Sequence, residues 1–296
     1  MQKTVIVKLK GGMGNQMFQY AFSRALVASA REHGETLAVE YDVTGYGEGS
    51  RVKKNTRRTF DLQKLSCEIA IAEEDVTLAT RNPFGIVSKV IRRITTKFFA
   101  PDTVHYNETL LAPPYKNYYE SYWQSEKYFK SIESEIRKHF TFRDTLGPAA
   151  QAMKEKIESD THAVGIFFRR TDYVGHNDLD VCDEDYYVRA LEKMHELVPN
   201  MHLYVMSDDI NWVKANANLP EGATYVSSPE ISYIEEMGIA TAYKHHIIPN
   251  STFAWWGAWL NPSAEKIIIA PKIWSKKYNN AHFKDIIPEG SNWIRI

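Results

Sequence analysis

The run His162-Ala163-Val164-Gly165-Ile166-Phe167-Phe168 is apolar and rich in strand formers, and it stops abruptly in Arg169-Arg170-Thr171-Asp172. Four further runs have the same character: His202 to Met206, Thr224 to Val226, His245 to Ile248 and Lys266 to Ala270. Helical spacing of apolar residues fills the gaps, over Glu184 to Leu197, Ile210 to Ala217, Ile231 to Tyr243 and Ser251 to Leu260. Strand and helix in strict alternation predict an open, doubly wound parallel sheet, with ligands bound at the carboxyl ends of its strands. The first half begins the same way. Thr4 to Leu9 reads as a strand, Gly11, Gly12 and Gly14 as a turn, Met17 to Ala30 as a helix stopped by Gly34, and Thr36 to Tyr41 as a second strand. A helix is expected from Glu126 to His139, and Gly147-Pro148 reads as a linker. The fold class is therefore α/β, with domains at 1–147 and 148–296.

Length and charge agree. The 296 residues suit about two domains. Lys and Arg number 36 and Asp and Glu 37, a net charge of −1, which argues against nucleic-acid binding driven by counterion release. The two cysteines, Cys67 and Cys182, have no metal-ligand spacing and fit a reducing cytosol. No apolar run reaches the roughly 18 residues of a membrane helix. Lys3, Lys8 and Lys10 interrupt any signal-peptide pattern. A cytoplasmic protein is the expectation. From Ile86 to Phe99, Val87, Val90, Ile91, Ile94 and Phe98 form an apolar stripe beside Lys89, Arg92, Arg93 and Lys97. This pattern fits a helix packed on its own domain, or one resting on the inner face of a membrane.

The polar residues gather where strands end. Arg169-Arg170 follows one strand, Ser207-Asp208-Asp209 the next, and Asn250-Ser251-Thr252 opens a helix. Gly12, Gly14, Asn15 and Gln16 follow the first strand of the chain. Four such clusters suggest one cleft between two domains. Their chemistry suits a nucleoside diphosphate. Guanidinium forks match phosphate oxygens, and a helix start offers free N–H groups. One arginine is expected to face the crevice while the other braces its loop. Asp208 and Asp209 suit a ribose or base edge, or simply a helix start. The third glycine of a dinucleotide fingerprint is absent, since Met17 stands there. Asp178 and Asp180 have the spacing of a metal pair but read better as loop acids. His245-His246, Trp255, Trp256 and Trp259 read as core.

Taken together, these clusters resemble the family 11 glycosyltransferases, the α-1,2-fucosyltransferases. The resemblance is carried by Gly11-Gly12-Met13-Gly14-Asn15-Gln16-Met17-Phe18-Gln19-Tyr20-Ala21, Phe168-Arg169-Arg170-Thr171-Asp172-Tyr173-Val174, Met206-Ser207-Asp208-Asp209 and Asn250-Ser251-Thr252-Phe253-Ala254-Trp255-Trp256. It implies a GT-B-like fold of two Rossmann-like domains facing a cleft, the donor on the C-terminal side and the acceptor on the N-terminal side. It implies inverting transfer of L-fucose from GDP-β-L-fucose to the 2-hydroxyl of a terminal galactoside, with no cofactor and no metal. A lipid-linked acceptor would fit the membrane reading of Ile86 to Phe99. By position, Arg169 would contact the diphosphate, with Arg170 beside it. Asp208 or Asp209 would contact the guanosine, and Ser251, Thr252 and Phe253 the phosphates. Gly12, Gly14, Asn15 and Gln16 would line the cleft. Arg169, Asn15 and Asp172 are the candidate catalytic residues. Phe167 occupies the position of a family histidine that helps hold the nucleotide. It can stack or pack there but donates no hydrogen bond. Transfer in another linkage or to another acceptor is the alternative, as is a non-catalytic nucleotide-sugar or glycan-binding protein.

Overall fold

The computed structural model describes residues 3–46, 58–73, 98–99, 106–277, 283–290 and 292–296. The chain divides into two compact units, Met1–Arg143 and Asp144–Ile296.

The first unit is built on β1 (Lys3–Lys8). Val5, Val7 and the following Leu9 are fully buried, because this strand lies between two neighbours. It is followed by α1 (Met13–Glu32), which returns the chain to β2 (Leu37–Asp42). With β3 (Phe98–Phe99) and β4 (Tyr118–Tyr119) these form a parallel sheet in the order β2-β1-β4-β3. The amphipathic stretch lies outside the described residues over 86–97. Its last two residues, expected to be helical, are strand β3. Asp42 is buried at the end of β2. Its carboxylate accepts from Thr44 N at 2.9 Å, Thr44 Oγ1 at 2.6 Å and Tyr118 OH, with Lys8 at 3.9 Å. Behind α1 the aromatic residues fill the core. Phe22 stacks on Trp123 at 4.0 Å and meets Tyr119 and Tyr128 edge-on.

The helix expected from Glu126 to His139 is broken into two single turns, Glu126–Tyr128 and Lys130–Ile132, before α2 (Glu133–His139). At Phe129 the backbone leaves helical space (φ −123°, ψ 13°), and both Tyr128 and Phe129 are buried. Burial of two adjacent aromatic rings, which a regular helix would aim about 100° apart, outweighs the lost helical bonds.

The second unit opens with α3 (Pro148–Ser159). Gly147-Pro148, expected as a linker, is instead a helix start. Proline occupies the first turn, where a missing N–H costs nothing, and Gly147 N donates to Glu235 Oε1 at 2.8 Å. Then follow β5 (Ala163–Phe168), α4 (Glu184–Leu197), β6 (His202–Ser207), α5 (Ile210–Asn216) and β7 (Thr224–Tyr225). The chain continues with α6 (Tyr233–Ala240), β8 (His245–Ile247), α7 (Thr252–Leu260), β9 (Ile268–Ala270) and β10 (Trp293–Arg295). All six strands are parallel, in the order β10-β9-β8-β5-β6-β7. Strand alternation sorts β5 into two faces. Val164, Ile166 and Phe168 pack with Tyr187, Leu191 and Met194 of α4. Gly165 and Phe167 face the other way, where the ring of Tyr243 crosses Gly165 so closely that any Cβ would collide with it.

Candidate active site

The winding direction locates the site. The chain fills β5, β6 and β7 in one direction, then crosses to β8 on the other side of β5. Loops diverge at such a switch point and leave a crevice at the carboxyl ends. Arg169 follows β5 there, and the start of α7 follows β8. Arg169 lies between two carboxylates, with Nη2 to Asp172 Oδ1 at 2.5 Å and Nη1 to Asp208 Oδ2 at 3.1 Å. Its guanidinium carbon is 5.2 Å from the centre of the Tyr173 ring, and the Tyr173 hydroxyl donates to Asn250 O at 3.3 Å. The arginine is thus fixed in place and tied to the loop leading into α7. A guanidinium has five N–H donors, and these two bonds leave others for an anion.

The α7 start is bare. Ser251 is its N-cap, yet no side chain caps the helix and its first turn carries no acid. The unbonded N–H groups and helix dipole favour an anion. Thr252 and Phe253 form the first turn, half-buried. Asn250 is buried and acts as a rivet. Its amide donates to Leu179 O at 3.0 Å and Trp274 O at 2.9 Å.

Several expected site residues have other duties. Asp208 accepts from Arg170 N at 2.8 Å, Thr171 N at 3.2 Å and Thr171 Oγ1, besides pairing with Arg169. Rather than facing a nucleoside, its carboxylate holds the β5 loop in shape. Asp209 caps α5 through Trp212 N at 3.3 Å. Arg170 has other partners than Arg169, with Nε 3.9 Å from Asp209 Oδ2. Its guanidinium lies 3.1 Å from the Trp212 ring centre, and its buried Nε has no hydrogen-bond partner. Arg170 and Trp212 form part of a cavity of about 160 Å³, together with Phe168, Tyr187, Leu191 and Leu219. Nothing in the residue pattern around Trp212 singles it out. Phe167, expected beside the donor, is 5% exposed and packs edge-on to Tyr243 and beside Gly257. Its ring belongs to the core.

Asp180 serves its own loop, where its Oδ2 accepts from Gly175 N at 2.9 Å, and the main-chain carbonyl of Asp178 accepts from Lys276 N at 2.8 Å. Among the described residues, no three His, Cys, Asp or Glu side chains gather as a metal site would require. Trp255, Trp256 and Trp259 are core, and His246 is buried, with Nε2 2.9 Å from Asn261 Nδ2.

In the first unit, Gly11 turns with φ +84°, and Asn15 Nδ2 would lie 2.5 Å from any Cβ there, so only glycine fits. Gly12 is the N-cap of α1, and Gly14 is buried in its first turn. Asn15 Oδ1 accepts from Gln124 Nε2 at 2.8 Å. Gln16, expected to line the cleft, is fully buried. It donates to Thr59 O at 2.8 Å and Gly11 O at 3.1 Å, and accepts from Asp61 N at 2.8 Å. It pins a loop to the helix and cannot reach a ligand. Arg58 and Tyr46 lie beside this turn. Arg58 Nη1 is within 3.8 Å of a Cβ at Gly12, and the Tyr46 hydroxyl donates to Gly11 O at 2.9 Å. Both sit in polar sequence with no pattern to mark them.

Two all-parallel sheets, with a fixed arginine and a bare helix start at a switch point, make up a GT-B-like α/β fold. The profile of glycosyl transferase family 11 matches residues 4–296, and the chain belongs to that family. An α-1,2-colitosyltransferase of Escherichia coli is 30% identical over 99% of this chain and 98% of its own length. A galactoside 2-α-L-fucosyltransferase of Caenorhabditis elegans is 25% identical, over 95% and 72%. The solved structure of the NodZ α-1,6-fucosyltransferase soaked with GDP-fucose superposes with a TM-score of 0.52, at 15% identity, over 88% of this chain and 94% of that one.

Proposed function

We propose that the protein is a galactoside α-1,2-fucosyltransferase, moving L-fucose from GDP-β-L-fucose to the 2-hydroxyl of a terminal galactose with inversion. The observation that carries this is Arg169, held by Asp172 and Asp208 in the loop joined through Tyr173 to the bare α7 start. In the reaction, the bond from fucose C1 to the phosphate oxygen breaks and GDP departs with the electron pair. The acceptor oxygen forms the new bond to C1 and loses its proton. Charge grows on the diphosphate, so fixed positive groups aimed at it lower the barrier by several kcal/mol. Arg169 and the helix start supply such groups from the chain's own residues, and the reading includes no metal and no cofactor. Asp172 orients the arginine. The second unit holds the donor, and the first, with Gly12 and Asn15 at the carboxyl end of its sheet, serves the acceptor. A cytoplasmic location goes with this reading.

A second reading, a colitosyl donor, is favoured by the relative of that name at 30% identity. Incubation with GDP-fucose and GDP-colitose against a panel of galactosides, with product linkage read by NMR, separates the two. The proposal expects a fucosyl α-1,2 product. Transfer from GDP-colitose alone would establish the second reading, and another linkage would overturn both.

A further inference from the structure

The proposed transfer makes no use of the cavity at Arg170. Tyr187, Val188 and Leu191 line it from α4, Trp212 from α5, and Phe168 from β5, its ring stacked on Tyr187 at 4.1 Å. No residue of the α7 start lines it. Its volume of about 160 Å³ is that of an apolar cavity able to hold one benzene. Val174, Val188 and Trp212 of its lining are large apolar residues exposed at the surface, the mark of a binding surface more than of a core. Two arginines line it as well, and one of them, Arg169, is already held by Asp172 and Asp208.

The other, Arg170, is unspent. Stacking on the Trp212 ring, 3.1 Å from its centre, fixes the guanidinium plane. The main-chain N–H of Arg170 is bound to Asp208, yet among the described residues none of its five guanidinium N–H groups donates a hydrogen bond. The Asp209 carboxylate, 3.9 Å from Nε, is beyond hydrogen-bond range. Nε is buried, while the side chain as a whole keeps 21% of its surface exposed, so its terminal nitrogens stay within reach of a ligand. Acids line the same cavity, namely Asp180, Asp183 and Glu184. Together with Asp209 they outweigh the charge of Arg170, so an anion gains no net attraction there. We propose that this cavity is a second ligand site, separate from the anion site of Arg169 and the α7 start. It takes an uncharged molecule with one aromatic ring and a carbonyl acceptor, the ring between the apolar walls and the acceptor on the Arg170 guanidinium. The inference does not depend on the nucleotide-sugar reading.

Titration of the whole protein with benzamide, toluene and benzoate, all close in size, tests the proposal. The signal is the Trp212 indole N–H in heteronuclear NMR, identified as the one lost in Trp212→Phe. Benzamide should bind with a Kd of about 1 mM or tighter, as expected for a ligand of this size. Toluene, which has no acceptor, should bind at least ~3-fold more weakly, and benzoate also, because of its charge. In Arg170→Met the affinity for benzamide should fall to that for toluene, whose own binding should change by less than about twofold. Ala217→Phe, which puts a ring into the cavity, should abolish both. Melting curves show whether each variant is folded, and the wild-type titrations decide alone where one is not. Saturating GDP should leave the benzamide titration unchanged. No movement of the Trp212 signal with benzamide, equal affinity for benzamide and toluene, tighter binding of benzoate, or displacement by GDP would each overturn the proposal.

Discussion

A histidine at position 167 would carry ring nitrogens into a wall made of Tyr243 and the α7 backbone at Gly257. Burying a polar ring without partners and losing the aromatic contact costs about 1–3 kcal/mol. Phe167→His should therefore lower the melting temperature and leave the Michaelis constant for the donor unchanged, as parallel melts and donor titrations would show. Asp42 offers a test by pH. Burial raises its carboxyl, but Thr44, Tyr118 and Lys8 together hold it below the ordinary carboxylate value. A depressed carboxyl stabilises the fold above its unfolded value and loses that contribution as pH falls through the folded one. Asp42→Asn should cost roughly 1.5–3 kcal/mol at pH 7, by analogy with other hydrogen bonds to charged groups. That gap should narrow below about pH 4 in urea titrations of both proteins. Single residues also mark where sequence reading ends. Residue type marked Arg169, Gln16 and Asp208 alike as polar groups at strand ends. Which of them faces a ligand depends on partners far along the chain. Thr59 and Asp61 take Gln16, and Arg170 and Thr171 take Asp208.

Helix α7 meets α6 where Gly257 lies against Ala240. A Cβ at Gly257 would come within 2.7 Å of the Ala240 Cβ. In an isolated helix Gly→Ala gains about 1 kcal/mol. Here the clash between two buried helices dominates, and overpacking of this kind costs about 1–3 kcal/mol. Gly257→Ala should be destabilised in denaturant titration, and a more stable protein would show that α6 can shift. Elements of the second unit were legible because long apolar strands end in charged turns, a pattern that survives any detail of packing. Glu184–Leu197 matches its expected limits, its start fixed by the Asp183 cap. Strands β3, β4 and β10, of two or three residues, show no period, and they lack the regular alternation with helices that made β7, β8 and β9, equally short, legible. Helix α3 was hidden because Gly147-Pro148 has the composition of a linker, and only the Glu235 contact shows it to be a helix start.

At the scale of the whole chain, a charge near neutral leaves the work of holding a diphosphate to local groups rather than to a basic surface. The two parallel sheets and their family were legible because four motifs occur in order over nearly the full length. The uses of individual side chains were not. In the function proposed above, Arg169 and a bare helix start stabilise departing GDP without a metal. Single-turnover transfer from GDP-fucose to a galactoside, in excess chelator, tests it with wild type and Arg169→Ala side by side. Wild type should keep full activity. Arg169→Ala should lose ~10²-fold or more, with the fold retained by circular dichroism. Near-normal turnover by a folded Arg169→Ala, or a strict and reversible need for a divalent ion in wild type, would contradict it.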